Sequence, residues 1–210
     1  VLTFLVLLVI GVPVAWCIAI SSMFTLMVAM PVSAATTTVS QRIATGLDSF
    51  ALLAIPFFIL SGQIMSKGGI ATRLISFAKT LVGFLPGGLA LINIVSAMLM
   101  GAIAGSAMAS ASAMGTILGP EMEKEGYSKE FGAAVNITSS TTGLVIPPSN
   151  TLIVYSLASG GVSIAALFLA GYIPGILTGL LMMIVAMIWS KKNNYPVGKR
   201  SSLREIFLKF

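Results

Sequence analysis

Residues 81–120 read LVGFLPGGLALINIVSAMLMGAIAGSAMASASAMGTILGP, forty positions without one ionisable side chain. As a single straight helix they would extend about 60 Å, roughly twice the hydrocarbon thickness of a bilayer. The chain therefore has to turn back midway, and both ends emerge on the same side. The midpoint runs Gly101-Ala102-Ile103-Ala104-Gly105-Ser106-Ala107-Met108-Ala109-Ser110, with none of the Asn, Asp, Pro or charge that marks a turn exposed to water. This predicts a re-entrant helical hairpin over 86–120 whose tip stays inside the protein. Non-helical backbone at that depth persists only where protein or a water-filled cavity satisfies it.

Working toward the C-terminus, residues 121–130 form a hydrophilic connector, and the sixty residues 131–190 again carry no charge. That length holds at least two crossings, with the turn between them at 159–163. The first of these crossings is itself interrupted. Asn136-Ile137-Thr138-Ser139-Ser140-Thr141-Thr142-Gly143 leads into Ile146-Pro147-Pro148-Ser149-Asn150-Thr151, and two consecutive prolines cannot stay in a regular helix. The break over 143–150 leaves carbonyl oxygens without intrahelical partners. With neighbouring hydroxyls, these are ligands for a hard cation such as sodium.

Two unwound elements rich in Ser, Thr, Asn and Gly fit a carrier that holds substrate and ions near the midplane. Half-helix N-termini aim positive dipole ends at an anion, while exposed carbonyls hold the cation. The candidate sodium ligands are Gly105, Ser106, Ser110, Thr141, Thr142, Gly143 and Pro148; the candidate substrate contacts are Ser112, Asn136, Ser149 and Asn150. The competing explanation is that small residues merely allow helices to pack closely. Packing alone does not call for two prolines beside an asparagine, which favours the site reading at 143–150.

Toward the N-terminus, residues 2–30 form a span interrupted at Gly11-Val12-Pro13, too long and too poor in basic residues at its start for a cleaved leader. A polar link follows at 33–45. A second span covers 48–65 with Pro56 inside it, and 70–84 form an amphipathic helix suited to a membrane surface. The reading gives four full crossings plus the hairpin. Hydrophobic residues make up 57% of the 210 and charged residues 9%, which excludes a water-soluble core of this size. The net charge of +6 gathers between spans and in the tail, the pattern of cytoplasmic segments and not of a nucleic-acid stripe. There is no histidine, and the single Cys17 is read as packing. Zinc sites, disulfide frameworks and intramembrane enzymes with a nucleophile and base are unsupported. The spans also lack ionisable residues, which favours neutral-oxygen coordination of an ion over a proton relay.

Three runs carry a family resemblance: LDSFALLAIPFFILSGQIMSKGGIATRLISFAKTLVGFLPGGLALINIVSAMLMGAIAGSA, AAVNITSSTTGLVIPPSN, and GVSIAALFLAGYIPGILTGLLM. Together they resemble the large membrane subunit of TRAP (tripartite ATP-independent periplasmic) transporters, DctM type. The resemblance implies an all-α membrane protein, a multi-span helical bundle with a re-entrant helical hairpin and a discontinuous helix. That bundle would be one repeat of an elevator-type transporter similar to the ion transporter superfamily. Scaffold-type spans and an arm helix would occupy 1–85, a transport-type region 86–160 with its broken helix at 128–160, a further span 161–190, and a cytoplasmic linker 191–210. The family implies sodium as coupling ion and no further cofactor, and import of an organic anion such as a dicarboxylate or sialic acid. Its partners would be a small four-helix DctQ-type membrane subunit and a periplasmic substrate-binding protein, in a bacterial or archaeal cytoplasmic (inner) membrane. Two positions depart from the family pattern: Ala104 stands where the tip usually has Ser, and Gln63 where Glu is common. The resemblance is to the N-terminal half of the family's subunit, with 201–210 similar to the linker into a second half. A passive channel or a non-transporting membrane scaffold is the alternative reading.

Overall fold

The computed structural model describes residues 1–48 and 50–198, and the described residues form helices joined by turns, with one isolated β-bridge between Pro86 and Val197. The chain divides into two compact units, Val1–Leu53 and Ala54–Phe210. The tail at 201–210 and Ser49 within the second expected span lie outside the described residues.

In the first unit, α1 (Leu2–Val9), α2 (Val14–Ala29) and α3 (Val32–Leu47) follow one another. Gly11 at φ +87° and Pro13 separate α1 from α2, where the sequence places the interruption. The buried Cys17 thiol donates to the Val12 carbonyl at 3.1 Å and closes that kink. Residues 33–45 correct the expectation of a polar link, because they lie within α3. The polar residues do not break the helix because their hydroxyls bond back along it. Thr37 donates to the Ser33 carbonyl at 2.9 Å, Thr38 to Ala34 at 2.8 Å and Thr45 to Gln41 at 2.8 Å.

The helix α4 (Phe50–Lys67) contains Pro56 and ends at Gly68 and Gly69. In the second unit follow α5 (Ile70–Val82), α6 (Gly88–Ala104), α7 (Ala107–Lys124), α8 (Lys129–Ser140), a single 3-10 turn (Thr141–Leu144), α9 (Asn150–Ala158) and α10 (Ile164–Lys192). Apolar on every face, α6 lies at the centre, with α5, α7, α8, the 3-10 turn and α10 packed around it. Leu91, Ile94 and Met100 from α6 meet Met114, Leu118 and Met122 from α7 in the core. The helix α5 is amphipathic on a face shifted from the sequence expectation: Ala71, Ile75 and Ala78 are buried on the α6 side, Ile70, Leu74 and Phe77 are half-buried, and Leu81, Arg73 and Lys79 are exposed.

The expected connector at 121–130 is shorter than the sequence suggested. Charge does not stop α7, which continues to Lys124. The stop is Gly126 at φ +86°, where its amide bonds to the Glu123 carbonyl and the Tyr127 amide to the Met122 carbonyl at 3.0 Å. Tyr127 then stacks on Tyr195 with ring centroids 4.3 Å apart, and Phe131 stacks on both Tyr195 and Trp189. These rings join the turn before α8 to the end of α10. Among the described residues, α10 is the one helix that is by itself long and apolar enough to cross a membrane. Its buried Gly171, Gly175 and Gly179 form a small-residue stripe, along which Cβ atoms would lie 2.5 Å from the Val145 carbonyl at Gly171 and 2.5 Å from Ile146 Cγ1 at Gly175.

Candidate functional site

The chain reverses between α6 and α7 in two residues. Gly105 adopts a left-handed conformation (φ 59°, ψ 21°) and donates its amide to the Gly101 carbonyl at 2.8 Å, so α6 ends with its last carbonyls free of intrahelical donors. Ser106 is extended, and its hydroxyl accepts from the Ala109 amide at 3.4 Å, which caps α7. The 0%-exposed Ser110 donates its hydroxyl to the Ala97 carbonyl at 3.2 Å and links the two arms. Ser112, two residues further along α7, is exposed.

The second interruption follows α8. There Thr141 donates to the Thr138 carbonyl at 2.6 Å, and buried Thr142 donates to Ser139 at 2.6 Å. The Thr142 carbonyl accepts two amides, from Val145 at 3.0 Å and from Ile146 at 2.8 Å, which closes the 3-10 turn. A bend over residues 146–148 then carries a cis Pro147–Pro148 peptide, and the chain is extended at Ser149. Buried Ser149 donates to the Leu144 carbonyl at 2.5 Å and accepts from the Leu152 amide at 3.3 Å, capping α9. Asn136, on α8, donates Nδ2 to the Ala111 carbonyl of α7 at 2.9 Å.

The two interruptions touch. A Cβ on Gly143 would lie 2.7 Å from the Gly101 Cα, so the backbones meet at a distance that only glycine allows. A Cβ on Gly105 would lie 2.9 Å from the Pro148 carbonyl and 3.4 Å from the Asn150 amide nitrogen. The Asn150 Oδ1 is buried beside this contact and has no hydrogen-bond partner among the described residues. A cavity of about 870 Å³ opens onto the junction, and its polar lining residues are Gln63, Thr72, Ser106, Ser112, Thr116, Asn150 and Thr151. The first turns of α7 and α9 both line it, so two positive dipole ends face one space. No ionisable residue is among those lining it.

Of the residues singled out from sequence, Gly105, Ser106, Pro148 and Asn150 come together at the junction, with Gly143 packed behind them and Ser112 on the cavity wall. The hydroxyls of Ser110, Thr141, Thr142 and Ser149 are bonded to backbone carbonyls, and Asn136 lines a different, smaller cavity. Sequence reasoning missed Gly62 and Thr151 as site residues. Gly62 allows α4 to approach the tip, where its Cβ would lie 2.9 Å from the Ala104 Cα. Its only sequence signal was a glycine inside an apolar span. Gln63, noted as a departure from a family pattern, lines the same cavity.

Residues 1–208 match the family model described as "Tripartite ATP-independent periplasmic transporter, DctM component". The chain is 54% identical over 208 residues to the uncharacterised protein YgiK of Salmonella typhimurium, covering 99% of this chain and 48% of that protein. It is 40% identical over 203 residues to the C4-dicarboxylate TRAP transporter large permease protein DctM of Vibrio cholerae, covering 94% of this chain and 44% of that one. Similarity to the sialic acid TRAP transporter permease protein SiaT of Haemophilus influenzae is 35% identity over 211 residues, covering 100% of this chain and 33% of that one. The chain thus spans about half, or less, of the length of these relatives.

Proposed function

The chain belongs to the DctM component family of the tripartite ATP-independent periplasmic transporters, integral membrane permeases and not enzymes, and from that membership we propose that it supplies half of a sodium and carboxylate site. The observation that carries the proposal is the contact of Gly105 with the Pro148 carbonyl and Asn150, which joins two backbone interruptions in one place. Carbonyl oxygens at Gly105 and Pro148, with Asn150 Oδ1, supply uncharged ligands for a sodium ion. Amides of the first turns of α7 and α9 suit the carboxylate of a small organic anion. Because no charged side chain lines the cavity, cation and anion each favour the other's entry, and this is the physical basis for coupling.

Contact between Gly101 and Gly143 keeps the hairpin and the broken helix in register, so the two would cross the membrane as one body in an elevator cycle. A re-entrant placement of the α6–α7 hairpin, with its uncharged tip inside the protein, belongs to the same reading. The working assembly would include a small four-helix membrane subunit and a periplasmic binding protein in a bacterial or archaeal cytoplasmic membrane. Relatives named for C4-dicarboxylate and sialic acid transport support a carboxylate as the substrate class.

The test is uptake into proteoliposomes by the complete permease with both partners. An inward sodium gradient should drive accumulation of a C4-dicarboxylate or a sialic acid, and the binding protein should be required. Uptake of equal rate without sodium would overturn the coupling, and uptake without the binding protein that fails to saturate would favour a passive channel.

A further inference from the structure

We propose that residues 193–198, which follow α10, form a strap that clamps the base of the second unit and stays docked throughout transport, so that α5, the α6–α7 hairpin, α8 and α10 move as one body; this rests on the reading of the hairpin as a moving element. At 1.5 Å per residue, the 17 residues of α6 put its start about 25 Å from the tip at Gly105. Around that far end lie the end of α5, the turn between α7 and α8 and the end of α10. The strap touches all of them.

Its first residues are shaped for a reversal. Asn194 lies in the left-handed region at φ 54°, the one described residue other than glycine to do so, and asparagine is among the few side chains that tolerate it. The Tyr195 amide donates to the Ser190 carbonyl at 3.0 Å and the Asn194 amide to the Lys191 carbonyl at 3.4 Å, which closes the last turn of α10 and sends the chain back over the bundle.

Tyr195 fastens the strap. Its ring centroid lies 4.3 Å from that of Tyr127 and 5.6 Å from that of Phe131, and its hydroxyl accepts the Ser128 amide at 3.3 Å. Tyr127 is 4% exposed beneath this stack, so lifting the strap would wet a buried ring and take the acceptor from the amide at the head of α8. Two residues on, Val197 pairs with Pro86 in the loop between α5 and α6. Glycines let these parts close on one another. A Cβ at Gly198 would overlap the Gly83 carbonyl at the end of α5, and one at Gly87, where α6 begins, would overlap the Ser190 hydroxyl of α10.

A segment that merely trailed from α10 would need none of these fittings. The tip, by contrast, is held by the Gly101–Gly143 contact and one side-chain bond between the hairpin arms. Separation at the base would let the arms splay and draw Gly105 away from Pro148 and Asn150. The strap closes the end where the helices are continuous and leaves the interruptions free to bind.

Two measurements on the complete permease with its partners test the strap, both in a background with Cys17→Ser and any other cysteine replaced. Opposite positions of an antiparallel bridge lie within reach of a disulfide, so Pro86→Cys with Val197→Cys should crosslink on oxidation. The oxidised protein should then take up a C4-dicarboxylate or a sialic acid, whichever the unmodified protein accumulates, at the rate of its reduced form. Uptake lost on oxidation and restored on reduction overturns the proposal, because the strap then has to open. Absence of sodium-driven uptake in the unmodified permease is a failure of the transport reading and is seen before any crosslink is made. Spin labels at Lys124→Cys and Pro196→Cys, both exposed positions, give the second measurement and decide the case where Pro86→Cys disturbs its loop and no disulfide forms. One narrow distance, the same with and without sodium and the carboxylate, supports a docked strap; a second, longer population contradicts it.

Discussion

Gly143 and Gly101 are glycines because each occupies the space the other's side chain would need, with a Gly143 Cβ only 2.7 Å from the Gly101 Cα. Neither backbone can give way without separating the two interruptions, so Gly143→Ala should lower stability by about 1–3 kcal/mol, the usual scale of overpacking, and reduce uptake in parallel. Gly46 gives the contrast. It lies inside α3 with nothing within 4 Å of its Cβ direction, so Gly46→Ala should leave uptake unchanged and raise stability by roughly 0.5–1 kcal/mol. Thermal unfolding of the purified permease, with uptake on the same preparations, checks both. At Asn150 the expected loss is in function. Its Oδ1 has no partner among the described residues, so Asn150→Ala removes no hydrogen bond seen there through that atom and should fold normally while transporting poorly.

Among the helices, the hairpin depends on a single side-chain bond between its arms, from Ser110 to the Ala97 carbonyl, 13 residues apart. Ser110→Ala should destabilise the protein by about 1 kcal/mol, the scale of one buried hydrogen bond; unfolding midpoints measure it. Sodium affinity should change far less than in Asn150→Ala, because the Ser110 hydroxyl is already engaged within the hairpin. The turn at Gly105-Ser106 and the interruption before Ser149 were legible because charge-free length forces a reversal and consecutive prolines forbid a helix. Other boundaries were not. Threonines in α3 look like a linker in sequence, yet their hydroxyls are satisfied one turn back along the helix. Glutamates after Pro120 look like a connector, yet the helix runs on until Gly126 supplies a left-handed residue. The residues that meet at the candidate site were legible as a set of residue types, but not which of their side chains face the cavity. Which hydroxyls face the cavity and which bond to local carbonyls depends on rotamers at Ser110, Thr141, Thr142 and Ser149, and one-dimensional spacing does not encode these.

For the whole molecule, the second unit has one organising idea: helices packed around α6 bring two interrupted segments together, and α10 supports the second from behind through its glycine stripe. The relatives are about twice this length or more. In the proposed function the junction of Gly105, Pro148 and Asn150 holds the coupling cation. The most direct test is the half-saturating sodium concentration for uptake by the complete transporter, measured at saturating substrate for the unmodified protein and for Asn150→Ala. A tenfold or greater rise in the variant, with unchanged thermal stability, is the predicted result; an unchanged sodium requirement would contradict the claim.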